Sequence, residues 1–96
     1  MEYRNFGKAG IKVSPICLGT AFRGSRNDEA ICVRTIQRAL ELGCNFVDCA
    51  NVYGTESIVA KGLRGKRDDV VLTSKVHSGV GPGPNDYGSS RYHIMR

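Results

Sequence analysis

The sequence contains no apolar run near the ~20 residues that a membrane-spanning helix needs, so no span is expected. No signal-peptide pattern opens it, and the expected location is cytoplasmic. Its four cysteines, Cys17, Cys32, Cys44 and Cys49, are spaced neither as a zinc ribbon nor as a redox Cys-x-x-Cys. They are expected to be reduced and mostly buried thiols, and no metal site is expected. No Gly-x-Gly-x-x-Gly follows an expected strand, which leaves a Rossmann dinucleotide site without support. Nor does Gly62-Leu63-Arg64-Gly65-Lys66 have the spacing, or the following Ser or Thr, of a phosphate-binding P-loop.

Charge of one sign is also never concentrated. The 14 Lys plus Arg exceed the 9 Asp plus Glu to give +5, a balance that favours anionic partners in general. The basic residues are nevertheless scattered, and the one short cluster, Arg64-Gly65-Lys66-Arg67, is followed at once by Asp68-Asp69. It reads as a solvated turn, and no nucleic-acid partner is expected because basic and aromatic residues do not interleave on any one surface.

What is present is a regular alternation of elements in a single domain spanning residues 1–96. Tyr3 to Gly7 and Ile11 to Ser14 flank Lys8-Ala9-Gly10, the pattern of a β-hairpin. Ile16-Cys17-Leu18, stopped by Gly19, suits a strand buried on both faces. Ser25 or Asn27 is placed to cap a helix in which Ala30, Val33, Ile36, Ala39 and Leu40 recur at helical spacing. Gly43 stands where a C-terminal glycine belongs. Phe46-Val47 is the next strand, Thr55 and Glu56 open a shorter helix that Gly65 ends, and Val70 to Lys75 is a third, β-branched strand. A Gly- and Pro-rich loop from Ser78 to Ser89 precedes the start of a third helix, capped by Ser89 or Ser90. Strands alternating with helices imply a parallel sheet with right-handed crossovers. Doubly wound sheets and (β/α)8 barrels both begin in this way, and a barrel needs about 250 residues.

In parallel α/β folds functional groups collect at the carboxyl ends of the strands. Gly19-Thr20 follows the first strand, Asp48 and Tyr53 the second, and Lys75 ends the third, so all face one rim. A phenol titrates near ~10 when unperturbed. To give a proton to a carbonyl oxygen at neutral pH, it needs a neighbouring cation that stabilises the phenolate. Lys75 is the candidate cation, Asp48 the anion that holds it, and Tyr53 the candidate general acid. No side chain supplies a hydride, so reduction by this set calls for a nicotinamide cofactor. On spacing alone, each of the three also fits a plain structural role: a packed loop Tyr, a solvated strand-end Lys, a turn-capping Asp.

Quoted in order, Tyr3-Arg4-Asn5-Phe6-Gly7, Leu18-Gly19-Thr20, Ala39-Leu40-Glu41-Leu42-Gly43, Asn45-Phe46-Val47-Asp48, Tyr53-Gly54, Val70-Val71-Leu72, Ser74-Lys75 and Ser90-Arg91 with His93-Ile94 resemble the N-terminal third of the aldo-keto reductase family. The resemblance runs from about Tyr3 to Arg96 and is to the bacterial branch that includes relatives of potassium-channel β subunits. It implies an N-terminal β-hairpin followed by the first three βα units of an incomplete (β/α)8 TIM barrel, and an NADPH-dependent oxidoreductase that reduces small aldehydes or ketones. It further implies that Asp48, Tyr53 and Lys75 are three of four catalytic residues and that Gly19, Thr20 and Asp48 lie against the cofactor.

Several positions depart from the family pattern. Cys49 stands where Thr is usual, Ala60 where Gly is usual, and the segment between Tyr53 and Glu56 is short. The family's catalytic His comes from a fourth strand, which is not expected within these residues. His77 reads as a loop histidine and His93 as part of the third helix, structural or exposed. The isolated chain is therefore expected to be an N-terminal portion with little activity. The alternative implied by the resemblance is a non-enzymatic interaction protein, like a channel β subunit or a product that self-associates through the open edge of its third strand.

Overall fold

The structure is a computed structural model that describes residues 1–23 and 27–96. Its first two strands, β1 (Arg4–Asn5) and β2 (Lys12–Val13), pair antiparallel as the expected hairpin, with Arg4 opposite Val13. Gly7 and Gly10 take positive φ between them, where a side chain would be strained.

Three further strands form a parallel sheet in the order β3 (Leu18–Gly19), β4 (Phe46–Asp48), β5 (Val71–Thr73). Leu18 and Leu72 flank Val47 in register, and Gly19 and Thr73 flank Asp48. Each crossover contains a helix: α1 (Glu29–Glu41) between β3 and β4, α2 (Glu56–Gly62) between β4 and β5. A short α3 (Arg91–Ile94) follows β5, capped by the Ser90 hydroxyl, which accepts from the His93 N–H at 3.2 Å. The sheet does not close on itself among the described residues.

Side-chain alternation divides the sheet into two faces. Val47 and Cys49 point toward the helices and join Ile36 of α1, Val59 of α2, Leu63 and Val70 in the buried core, with Leu18, Leu40 and Leu72 packed at its edge. The helices approach closely because Gly62 has no side chain. A Cβ there would lie 2.7 Å from Ile36 Cδ1. Phe46 and Asp48 point the other way, and at the bottom of that second face Phe6 of the hairpin meets Phe46 edge to face, with ring centroids 5.2 Å apart. Asn45 fastens the hairpin to the sheet: its Oδ1 accepts from the Ser14 N–H at 2.7 Å, and its Nδ2 donates to the Lys12 carbonyl at 3.1 Å.

Four expectations are corrected. The first core strand is two residues long and is not buried on both faces: Ile16 is 65% exposed and Cys17 is exposed, because β3 is an edge strand paired only with β4 among the described residues. Asp28 caps α1, accepting from the Ile31 N–H at 3.2 Å, in place of Asn27; Ser25 lies outside the described residues. Thr55 stands at the N-cap position and Glu56 begins α2, as expected, while the Thr55 hydroxyl donates to the Thr20 carbonyl at 2.8 Å. The expected third strand, Val70 to Lys75, is shortened at both ends to Val71–Thr73, so Lys75 lies two residues past β5, and α2 ends at Gly62, three residues before Gly65. Cys32, Cys44 and Cys49 are buried as expected. Among the described residues no helix is long and apolar enough to cross a membrane.

Candidate functional site

The second face of the sheet places Asp48, Thr73 and Lys75 on one side, since 73 and 75 alternate together and Thr73 is in register with Asp48. Pairing continues past the named strands. Cys49 N–H donates to the Thr73 carbonyl at 2.8 Å and Asn51 N–H to the Lys75 carbonyl at 3.1 Å, so the chain after β4 runs beside the chain after β5. A 3-10 turn at Asn51–Tyr53, ended by Gly54 in a left-handed conformation with φ 68°, then folds Tyr53 back toward that rim.

Lys75 is the hub. Its ammonium makes a salt bridge to Asp48 Oδ2 and donates to the Cys49 carbonyl at 2.8 Å and to the Tyr53 hydroxyl at 3.3 Å. An ammonium has three protons and no acceptor, so these three contacts use its full donor set, and in the third the phenol oxygen must accept. The proton on Tyr53 is therefore not given to Lys75. The Nζ lies 5.0 Å from the Tyr53 ring centroid, nearer the hydroxyl than the middle of the ring.

Asp48 is fixed at both oxygens, because Oδ1 accepts from Thr73 Oγ1 at 2.8 Å. Lys75, and to a lesser degree Thr73, hold its carboxyl below the ordinary carboxylate range, while partial burial opposes them. The hydrogen bond to Asp48, and after it the contact with Tyr53, pushes the Lys75 ammonium above its ordinary range against the effect of desolvation. Both groups stay charged across neutral pH, and the cation is presented to the phenol oxygen.

The structure thus brings together Asp48, Tyr53 and Lys75. Gly19 and Thr20 lie at the same rim but in different ways. Gly19 is exposed, and a Cβ built on it would meet nothing within 4 Å, so there is open space above it beside Asp48. Thr20 is fully buried, and its hydroxyl donates to the Asp48 carbonyl at 2.8 Å, so it acts on the rim by holding the backbone of Asp48. His77 stands apart in the following loop, with Nδ1 3.1 Å from Ser89 Oγ. His93 is buried, at 6% exposure. Thr73 was missed by sequence reasoning, although its place two residues before Lys75 on a strand puts it on the same face. Among the described residues no group of three His, Cys, Asp or Glu side chains is arranged to hold a metal.

A sequence profile of the Aldo/keto reductase family matches residues 15–96, and the chain belongs to that family. Over its whole length it is 40% identical to the uncharacterized oxidoreductase YrpG of Bacillus subtilis (strain 168), and over 99% of its length it is 38% identical to the Arabidopsis thaliana protein named "Probable voltage-gated potassium channel subunit beta". The solved holo form of aldo-keto reductase AKR11C1 from Bacillus halodurans superposes with TM-score 0.81 at 31% identity over 98% of this chain. The chain spans about a third of each: 34%, 31% and 33% of their lengths.

Proposed function

We propose that these residues carry the proton-donating part of the active site of an NADPH-dependent aldo-keto reductase acting on small aldehydes or ketones. The observation that supports this most is the Lys75 ammonium, which Asp48 and the Cys49 carbonyl hold against the Tyr53 hydroxyl. The bound nicotinamide would supply the hydride, and the open space above Gly19 beside Asp48 fits a flat ring lying against the strand end. Tyr53 then gives its proton to the carbonyl oxygen as that oxygen gains charge, and the phenolate left behind faces a cation already in place. Asp48 keeps the ammonium charged and aimed, and Thr73 keeps the carboxylate from turning.

The chain covers about a third of its relatives, and the isolated 96 residues are expected to turn over carbonyl substrates poorly. The test is a chimaera in which residues 15–96 replace the matched segment of the Bacillus halodurans reductase. NADPH loss with a generic aldehyde is expected for the chimaera and to be weak for the short chain. A folded, cofactor-binding chimaera whose turnover survives Tyr53→Phe unchanged would overturn the assignment.

A second reading has a specific support, the 38% identity to a protein named as a channel β subunit. In it the chain is an interaction module, docking or self-associating through the uncovered outer edge of β5. Size-exclusion chromatography separates the two, because a stable monomer at high concentration counts against edge pairing.

A further inference from the structure

Thr55 is fully buried at the N-cap position of α2, where a Thr side chain ordinarily accepts from one of the free N–H groups of the helix. No such bond forms here. The hydroxyl donates to the Thr20 carbonyl at 2.8 Å, and its oxygen lies 3.8 Å from the Cys49 thiol. The start of α2 therefore forgoes a stabilising bond, and departures from a local rule of this kind concentrate at functional sites.

The Thr20 carbonyl belongs to a residue that already holds the acid side of the rim. Thr20 donates to the Asp48 carbonyl twice, from its N–H at 3.1 Å and from its hydroxyl at 2.8 Å. The next N–H, that of Cys49, donates to the Thr73 carbonyl at 2.8 Å, and the Cys49 carbonyl accepts from the Lys75 ammonium at 2.8 Å. The peptide between Asp48 and Cys49, which presents two of the three acceptors of Lys75, is thus tied to the end of β3 through Thr20. The phenol side is reached through the chain. Tyr53 stands two residues before Thr55, in the turn Asn51–Tyr53 that Gly54 ends at φ 68°. That turn is fixed at its start, where the Asn51 N–H donates to the Lys75 carbonyl at 3.1 Å. Its other end leads into Thr55. One buried hydroxyl therefore connects the segment that holds Lys75 to the turn that carries Tyr53. We infer that Thr55 is a positioning residue for the proton donor: its bond to Thr20 sets the spacing between the Tyr53 hydroxyl and the Lys75 ammonium, 3.3 Å in the structure. The consequence for proton transfer rests on the reductase reading, whereas the spacing is a property of the chain alone.

The spacing is read as the nuclear Overhauser effect between the Lys75 ε-methylene and the Tyr53 ring in the full chain, with the Phe6 to Phe46 ring contact as the control for general loosening. Thr55→Val keeps the shape of the side chain and removes its donor. It is expected to abolish the effect between Lys75 and Tyr53 and to leave that between Phe6 and Phe46, while Thr55→Ser, which keeps the hydroxyl, retains both. In the chimaera, Thr55→Val should lower kcat by about 10- to 10²-fold, the usual consequence of a misplaced catalytic group, with KM for NADPH unmoved, and Thr55→Ser should restore it. An undiminished effect between Lys75 and Tyr53 in Thr55→Val, its loss together with the Phe6 to Phe46 contact, or its loss in Thr55→Ser would each overturn the proposal. So would an unchanged kcat for Thr55→Val in a chimaera that Tyr53→Phe inactivates, or a rise in KM in place of the fall in kcat. Should Thr55→Val fail to fold, Thr55→Ala takes its place, and should both fail the serine variant decides alone. A contact that persists in Thr55→Val leaves the reductase reading standing. Turnover that survives Tyr53→Phe sinks that reading and leaves the spacing role of Thr55 to the measurement on the chain.

Discussion

The two faces of the parallel sheet are built from neighbouring residues of the same strands and behave as opposites. On the helix side Val47, Cys49, Ile36, Val59 and Leu63 are almost wholly shielded from water, and apart from the weak contacts of the Cys49 thiol with the Ala50 carbonyl and the Thr55 hydroxyl their side chains are held by apolar packing. On the rim side Asp48, Thr73, Lys75 and Tyr53 are partly exposed and joined by directed hydrogen bonds. The first face supplies stability because apolar area removed from water scales into free energy. The second contributes little of it, since exposed ion pairs are screened and add at most a small fraction of the total. What the second face gains from the first is a fixed frame for its angles and distances.

Substitutions that separate the faces should therefore separate chemistry from stability. The largest effect is expected for Tyr53→Phe in the chimaera: turnover falls by roughly 10²- to 10⁴-fold, the usual contribution of a general acid, with the urea midpoint of the chain unmoved. Next is Ile36→Ala, which should cost about 2–5 kcal/mol by leaving a cavity under the sheet, read from urea denaturation of the short chain. Gly62→Ala follows at about 1–3 kcal/mol, because the added methyl would overlap Ile36 and push α1 from α2. Equal loss of stability from Tyr53→Phe and Ile36→Ala would break the division of labour.

The smallest effect is electrostatic. Asp48 titrates below its ordinary value of 3.8 in the folded chain, so the folded state binds its proton less readily than the unfolded state does. Its pairing contributes stability at pH above that ordinary value, and the contribution is lost as pH falls through the depressed folded value. For Lys75, raised above 10.5, the contribution is complete below that value and disappears as pH rises through the higher folded one. Between these limits the pair should be silent. A carboxyl-carbon NMR titration of Asp48 with a midpoint at or above 3.8 would remove the basis for its anchoring role.

Much of the architecture was legible because periodicity carries it. The heptad-like apolar recurrence through Val33, Ile36 and Leu40 located α1, Gly43 marked its end with φ 92°, and the β-branched run before Lys75 located β5. The errors fall where local pattern has no information about neighbours. Ile16-Cys17-Leu18 looks the same in a central strand as at an edge, and only the sheet order decides that β3 has one partner. Thr55 opens α2 as its pattern says, but local pattern gives no sign that its hydroxyl donates to the Thr20 carbonyl, 35 residues distant.

Sequence by itself determined which residue types reach the rim: Asp48 ends a strand, Tyr53 and Lys75 follow strands, and strand ends in a parallel sheet share one side. Tertiary structure alone decided that one ammonium touches all of its partners at once. That outcome depends on the Asn51 N–H to Lys75 carbonyl bond that continues the pairing and on the turn closed by Gly54. It also decided that the ring nitrogens of His93 are buried with no hydrogen-bond partner among the described residues. The physical reason is range: periodicity reports which way a side chain leaves its own backbone, whereas a hydrogen bond depends on distances between segments that only packing sets.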